Sequence, residues 1–405
     1  MTVMKKIIVI ALLVAFILLI AAIAIAIIPI IATLVSNRET QISQEPRAAN
    51  LAVTTPVPTS ITIQQDSIVP PTSNLTTAKK VLEWTSSQKS SSGVYLSGIL
   101  CHITRDGQQK CSVPIEDPKV AVHVMWARFK YFQATGDRNQ LDAINQDLET
   151  FTGLYQNPSN TISYQINHPT CTLLYDLWQT DEFTSDQKQK MQDLCSKSTF
   201  PGAEVDEINQ EIANRVIPPE MDTGSVIRGE KLPYRGIVNI EDFRNGYYKY
   251  AISASDMISQ YLWLNKTAQL TVAKQLVDKA TQIFSNEKEG KLVNQASMVL
   301  GASIVDLYIA TKDQKYLDFA KYLAQVQESR LCQNTEECSY HLYFLDKLFK
   351  VTQDLRYRDA INNLISYLKN TAFDDQTGAF QSMIPKVVSF ETRNNSLLAG
   401  IISQY

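Results

Sequence analysis

Three stretches of this chain carry the same instruction: two helices joined by a tight polar turn. They are FKYFQATGDRNQLDAINQDLETF (Phe129–Phe151), VDLYIATKDQKYLDFAKYLAQVQ (Val305–Gln327) and LDKLFKVTQDLRYRDAINNLISYL (Leu345–Leu368). Weaker copies start at Leu173 and Tyr261. Apolar residues recur at helical spacing on both sides of each turn. Thr or Asp stands where the second helix needs a cap, and Gly136 permits a left-handed turn. Repeated units of this length bury their apolar faces on their neighbours. The pattern predicts first helices beginning near Asp117, His168, Asp242, Asn294 and Ser339. Two helices remain, Ala78–Lys89 and Glu391–Tyr405, and pairing them would make a sixth hairpin and close a ring.

The phrase ATGDxxxLxxA and its copies resemble the repeats of the six-hairpin glycosidase-like superfamily. That resemblance implies an all-α fold, an (α/α)6 toroid, over roughly residues 79–405. It also implies a place among glycoside hydrolases, unsaturated-uronide hydrolases, sugar epimerases and polysaccharide lyases. Tetratricopeptide-like solenoids repeat helical hairpins too, but at regular spacing; here the gaps between hairpins differ widely, which favours the toroid.

Ahead of the repeats, Ile7 to Asn37 is free of charge. A run of this length suits a bilayer-spanning helix and is too long for the core of a cleavable signal peptide. Pro29 would kink it or end it near the surface. Lys5 and Lys6 precede the run, and few basic residues follow it. The positive-inside rule therefore keeps the N-terminus cytoplasmic and exports the rest. Residues 39–78 are rich in Ser, Thr, Gln and Pro, a composition that cannot bury a core. The expected order is a cytoplasmic stub (1–6), a single-pass anchor (7–36), an extracytoplasmic linker (37–77) and one helical domain (78–405). The net charge of −3 excludes a nucleic-acid partner.

Export bears on the six cysteines, all beyond the anchor. They fall in sequence-local pairs, Cys101 with Cys111, Cys171 with Cys195 and Cys332 with Cys338. An even count in an exported domain points to disulfides, although six cysteines allow fifteen connectivities. None has zinc-site spacing, and the four histidines, His102, His123, His168 and His341, form no metal-ligand pair. No metal and no cofactor is expected.

Turns inside the hairpins are short, whereas 92–116, 152–167, 197–240 and 372–390 are long connections. In an antiparallel ring the short turns share one rim and the long loops the other. The long-loop rim, where first helices present their N-termini, is the expected working face. Glycoside hydrolysis by the common route needs two carboxyl groups, one kept protonated. Asp117, in IEDPKVAVHVMWARF, is one candidate acid, with His123 and Trp126 on the same helix as candidate sugar contacts; Asp before Pro is also an ideal cap. Ile217–Tyr250 is the richest loop. It offers Glu220, Asp222 and Asp242 as acids, and Arg228, Arg235, Arg244, Tyr247 and Tyr248 for a polar, especially acidic, sugar. Glu391 and Arg393, in SFETRNNSLLAG, would lie near Asp117 if the ring closes. No residue set reproduces a known catalytic motif. The sequence thus supports a membrane-anchored extracytoplasmic carbohydrate-active protein, hydrolase-like if it is an enzyme. The alternatives are a non-catalytic glycan- or protein-binding scaffold on the same ring, and an open tetratricopeptide-like adaptor.

Overall fold

The computed structural model describes residues 70–99, 101–103, 108–155, 162–163, 170–199, 254–285, 301–327, 332, 334–382 and 389–405. The anchor expected over 7–36 and most of the linker lie outside them. Among the described residues, no helix is long and apolar enough to cross a membrane.

The helices come in pairs. After α1 (Thr72–Ser87) follow α2 (Val120–Thr135) and α3 (Asn139–Leu154), then α4 (Thr170–Trp178) and α5 (Ser185–Lys197). Next are α6 (Ala254–Leu264) with α7 (Thr267–Ser285), and α8 (Gly301–Thr311) with α9 (Gln314–Gln327). Then come α10 (Thr335–Thr352) with α11 (Leu355–Thr371), and α12 (Thr392–Ile402) ends the chain. First helices pack on one another in the order α2, α4, α6, α8, α10, α12, and α12 packs back on α2. Each partner helix lies against its own first helix, and α1 packs on α12 as the sixth pair. The inner ring is closed, which excludes the open groove of a solenoid adaptor.

The hairpin turns share one device. The first helix ends on a left-handed residue, Gly136, Asn265, Lys312 or Gln353. The N–H of each donates to an aromatic residue four positions back: Phe132, Tyr261, Tyr308 and Phe349 respectively. In three of the turns a threonine precedes the left-handed residue and an aspartate follows it. The hydroxyls of Thr135, Thr311 and Thr352 accept from the N–H of Asp137, Asp313 and Asp354 at 3.2–3.3 Å. Each aspartate then accepts the N–H two residues on, at 3.1–3.2 Å, opening the second helix. Thr184 and Gln187 form a reciprocal capping box at the start of α5.

Two glycines let the inner helices meet closely. A Cβ on Gly400 would stand 2.4 Å from the Trp126 ring, and one on Gly301 would stand 2.4 Å from Phe344. Trp126, Phe129, Phe344, Met125 and Leu148 are wholly buried in the core of the helical domain. Each contributes about 1.5–3 kcal/mol by leaving water.

The long connections hold four two-stranded pairings that the helical periodicity does not foretell. These are β1 (Gly98–Ile99) with β8 (Phe390–Glu391), β2 (Cys101–Ile103) with β3 (Gln109–Cys111), β4 (Ile162–Ser163) with β5 (Ser198–Thr199), and β6 (Phe373–Asp374) with β7 (Ala379–Phe380). They satisfy backbone groups that no helix takes up. All three sequence-local cysteine pairs are bonded, and no described cysteine is free. The Cys171–Cys195 bridge ties the start of α4 to the end of α5. One boundary shifts: α1 begins at Thr72, six residues ahead of the expected Ala78.

Candidate active site

The first turns of the inner helices bring a set of charged side chains together on the long-loop rim. Glu391 occupies the cap position of α12 in extended conformation, but its carboxylate caps nothing. Oε1 instead accepts from Arg393 Nη2 at 2.6 Å, and Oε2 accepts from Asn394 Nδ2. The same Arg393 nitrogen reaches Glu336, in the first turn of α10, at 3.3 Å. Two carboxylates from different hairpins thus share one guanidinium. The strand carrying Glu391 is held against Gly98, whose φ of +101° and lack of a side chain allow the approach.

Burial raises the Glu391 carboxyl from the ordinary range to about 7; Arg393 opposes the shift, while Glu336 and Asp117 add to it. About a fifth of its side chain still meets solvent. Glu391 is therefore a carboxyl group that can hold a proton near neutral pH and release it at a reachable surface. Arg393 stays charged: burial works against it, and Glu391, Tyr340, Glu336 and Asp117 together more than compensate.

Beside this pair, Asp117 Oδ1 accepts the Lys119 N–H at 3.1 Å, which is its capping role. Asp117 lies close enough to act electrostatically on Glu391, as ring closure requires. Tyr155 feels Asp117 too, and stacks edge-on against Phe151. His123 is fully buried, with Nδ1 3.3 Å from the Lys119 carbonyl. Burial and then Arg393 push it down to about 3, so it is neutral. Burial likewise pushes His341 down to about 4.

A second polar layer lines the ring axis below the rim. Asp256 accepts from the N–H and hydroxyl of Thr172, both at 2.9 Å. Burial lifts it to about 6 against the hydrogen bonds from Thr172 and Cys171, with help from Asp306. Ser255 and Ser303 pair at 3.0 Å between α6 and α8. Lys347 bonds Asp306 at 2.6 Å. The Trp126 indole N–H donates to Asp176 at 3.0 Å, and its ring meets Tyr343 edge-on. Trp126 and His123, read from the sequence as sugar contacts, are thus spent inside the protein.

The structure brings together Asp117, Glu391 and Arg393 among the residues singled out by sequence. Glu220, Asp222, Arg228, Arg235, Asp242, Arg244, Tyr247 and Tyr248 lie outside the described residues. Sequence reasoning passed over Glu336, Lys119, Asp256 and Asp306. The one signal they offered is polarity on helices whose neighbouring residues are nearly all apolar, as with Asp306 in GASIVDLYIAT. Among the described residues, no group of three or more His, Cys, Asp or Glu side chains could hold a metal ion.

No protein-family profile matches the chain, and no curated protein matches it in sequence. Solved structures do match in shape. An inactive variant of the GH76A α-1,6-mannanase of Salegentibacter sp., in complex with an α-1,6-linked mannotetraose, aligns with a TM-score of 0.52 at 12% identity, covering 82% of this chain and 98% of that one. A GH76 α-mannanase of Bacteroides thetaiotaomicron aligns with a TM-score of 0.50 at 11% identity, over 82% and 94%. The cellobiose 2-epimerase of Bacillus thermoamylovorans gives 0.48 at 10% identity, over 83% and 100%. The chain shares the (α/α)6 toroid fold of the two mannanases.

Proposed function

We propose that this chain is a membrane-anchored, extracytoplasmic glycan-processing enzyme of the hydrolase type, with Glu391 as its general acid. The observation that carries this reading is the Glu391 carboxyl, raised to about 7 at a partly exposed rim and flanked by carboxylates. The fold adds support, since the mannanases that share it act on α-mannan by name. Export rests on the uncharged run from Ile7 to Asn37, the preceding lysines and the three disulfides. An acidic glycan suits the arginines of Ile217–Tyr250.

In the reaction, the Glu391 proton passes to the glycosidic oxygen as the bond from the anomeric carbon breaks. Water supplies a hydroxyl to that carbon, and its remaining proton goes to an ionised carboxylate, for which Glu336 and Asp117 are the candidates. Glu391 must be protonated to act, so the rate falls as pH rises through about 7.

The test is release of reducing ends from neutral and uronate-containing oligosaccharides. Glu391→Gln keeps the shape and one acceptor oxygen for Arg393, and should lose activity by about 100-fold or more. Full activity in that variant refutes the role of Glu391. Binding without turnover by the unmodified protein would favour the scaffold reading, which the tight pairing of Glu391 with Arg393 also suits.

A further inference from the structure

We infer that Lys119 is the anchor for the carboxylate of an acidic sugar, making the rim selective for uronate-bearing glycans. The inference rests on reading the rim as a carbohydrate site. Lys119 immediately precedes α2, is only 6% exposed, and has no hydrogen bond or ion pair to its ammonium among the described residues. Three part-buried lysines are matched by carboxylates: Lys89 has Asp147 at 2.5 Å, Lys347 has Asp306 at 2.6 Å, and Lys350 has Asp346 at 2.7 Å. Asp117 acts on this ammonium only through space and no described side chain bonds it, so it stays open to an anion.

The surroundings leave the ammonium to a ligand. The Lys119 backbone is fixed at both ends, by Asp117 Oδ1 on its N–H and by the Val122 N–H on its carbonyl. Arg393, the nearest other cation, is engaged by Glu391 and Glu336. The first N–H groups of α2 are taken by the carbonyls of Asp117 and Pro118. Burial lowers the Lys119 pKa, Asp117 raises it and Arg393 lowers it. An incoming carboxylate would favour the charged ammonium, which a neutral hydroxyl group does far less. Lys130 is the useful contrast. It is equally buried, but it lies about three turns along α2, over the Trp126 ring and 3.4 Å from Gln133 Oε1.

The experiment is calorimetric titration of the full-length protein with tri-uronates of galacturonate, glucuronate and mannuronate. Each is compared with its methyl ester, which keeps the sugar and removes the charge, and with a sulfated neutral trisaccharide. At least one acid should bind tenfold or more tighter than its ester. Lys119→Met should abolish that preference, Lys119→Arg should keep it, and Lys130→Met should leave it intact. Sulfate binding as tight as the uronate would replace the carboxylate assignment with a general anion site. Equal binding of every acid and ester, binding of no acid, or a preference that survives in Lys119→Met overturns the inference. Neutral oligosaccharide turnover that depends on Glu391 would still stand in those cases. Conversely, Lys119-dependent binding without any turnover refutes the enzyme reading alone.

Discussion

Gly400 offers the sharpest test of ring closure. Replacing it with alanine should improve the helix, because glycine costs about 1 kcal/mol relative to alanine inside one. The structure predicts the opposite net effect. The new methyl would stand 2.4 Å from Trp126 Cζ3, 2.8 Å from Cε3 and 3.2 Å from the Ala127 Cα. Carbon atoms rest at about 3.5–4 Å, so something must yield by about 1 Å. The indole cannot swing away freely, since its N–H holds Asp176 and its ring meets Tyr343. Overpacking of this kind costs about 1–3 kcal/mol. Set against the helix gain, the net is a loss of up to about 2 kcal/mol, a few degrees in Tm. Urea unfolding followed by far-UV circular dichroism measures it. Gly153→Ala is the control: nothing lies within 4 Å of a Cβ there, so that variant should gain up to about 1 kcal/mol. If Gly400→Ala is as stable as Gly153→Ala, α12 does not press on α2 as described.

Other outcomes follow from buried charge and turn geometry. Asp256 has a folded pKa of about 6 against an ordinary 3.8, so its ionisation opposes folding increasingly as pH rises through that window. Asp256→Asn should gain on the unmodified protein between pH 4 and pH 7, by up to about 3 kcal/mol at the upper end; a difference independent of pH would refute the burial argument. Asp147 is 1% exposed at its side chain, with Lys89 at 2.5 Å, the Tyr95 hydroxyl at 2.9 Å and Arg128 at 3.7 Å. Asp147→Ala strands the buried arginine and should cost about 3–5 kcal/mol in denaturant titration. Lys312 sits at φ 58°, so Lys312→Gly should hold stability or raise it by up to about 1 kcal/mol, and a clear fall in Tm would contradict the left-handed turn.

The hairpins were legible because their turns are local. Thr135, Gly136 and Asp137 make their bonds within a few residues, so the sequence shows the whole device. The cysteine pairs were legible for a similar reason, each joining positions close in the chain. The start of α1 was hidden by composition. Thr72 to Thr77 reads as linker, yet Thr76 and Thr77 return their hydroxyls to the carbonyls of Thr72 and Ser73, and Thr77 is buried. The chemistry of the rim was less legible still. The elevated pKa of Glu391 comes from burial first, with Glu336 and Asp117 adding to it, and all three arise only once α12 closes the ring. Lys119 reads as an ordinary surface cation until its burial and its empty ammonium are seen. Trp126 misled in the other direction, because an aromatic near an acid suits a sugar platform and suits a core equally well.

The threonine–aspartate stop has a consequence for how such a chain can change. The inner helices α2, α8 and α10 are each brought to an end by bonds confined to their own turn. Helix phase is therefore set at one end of the ring and does not depend on what joins the hairpins at the other. A joining segment can grow, shrink or be exchanged at a modest entropic cost, about 0.6 kcal/mol for each doubling of its length. Transplanting the stretch between α5 and α6 from one ring of this kind to another should alter what is recognised and spare the unfolding temperature. Diversity in such proteins would then accumulate at one face, while the opposite face keeps the grammar of the fold.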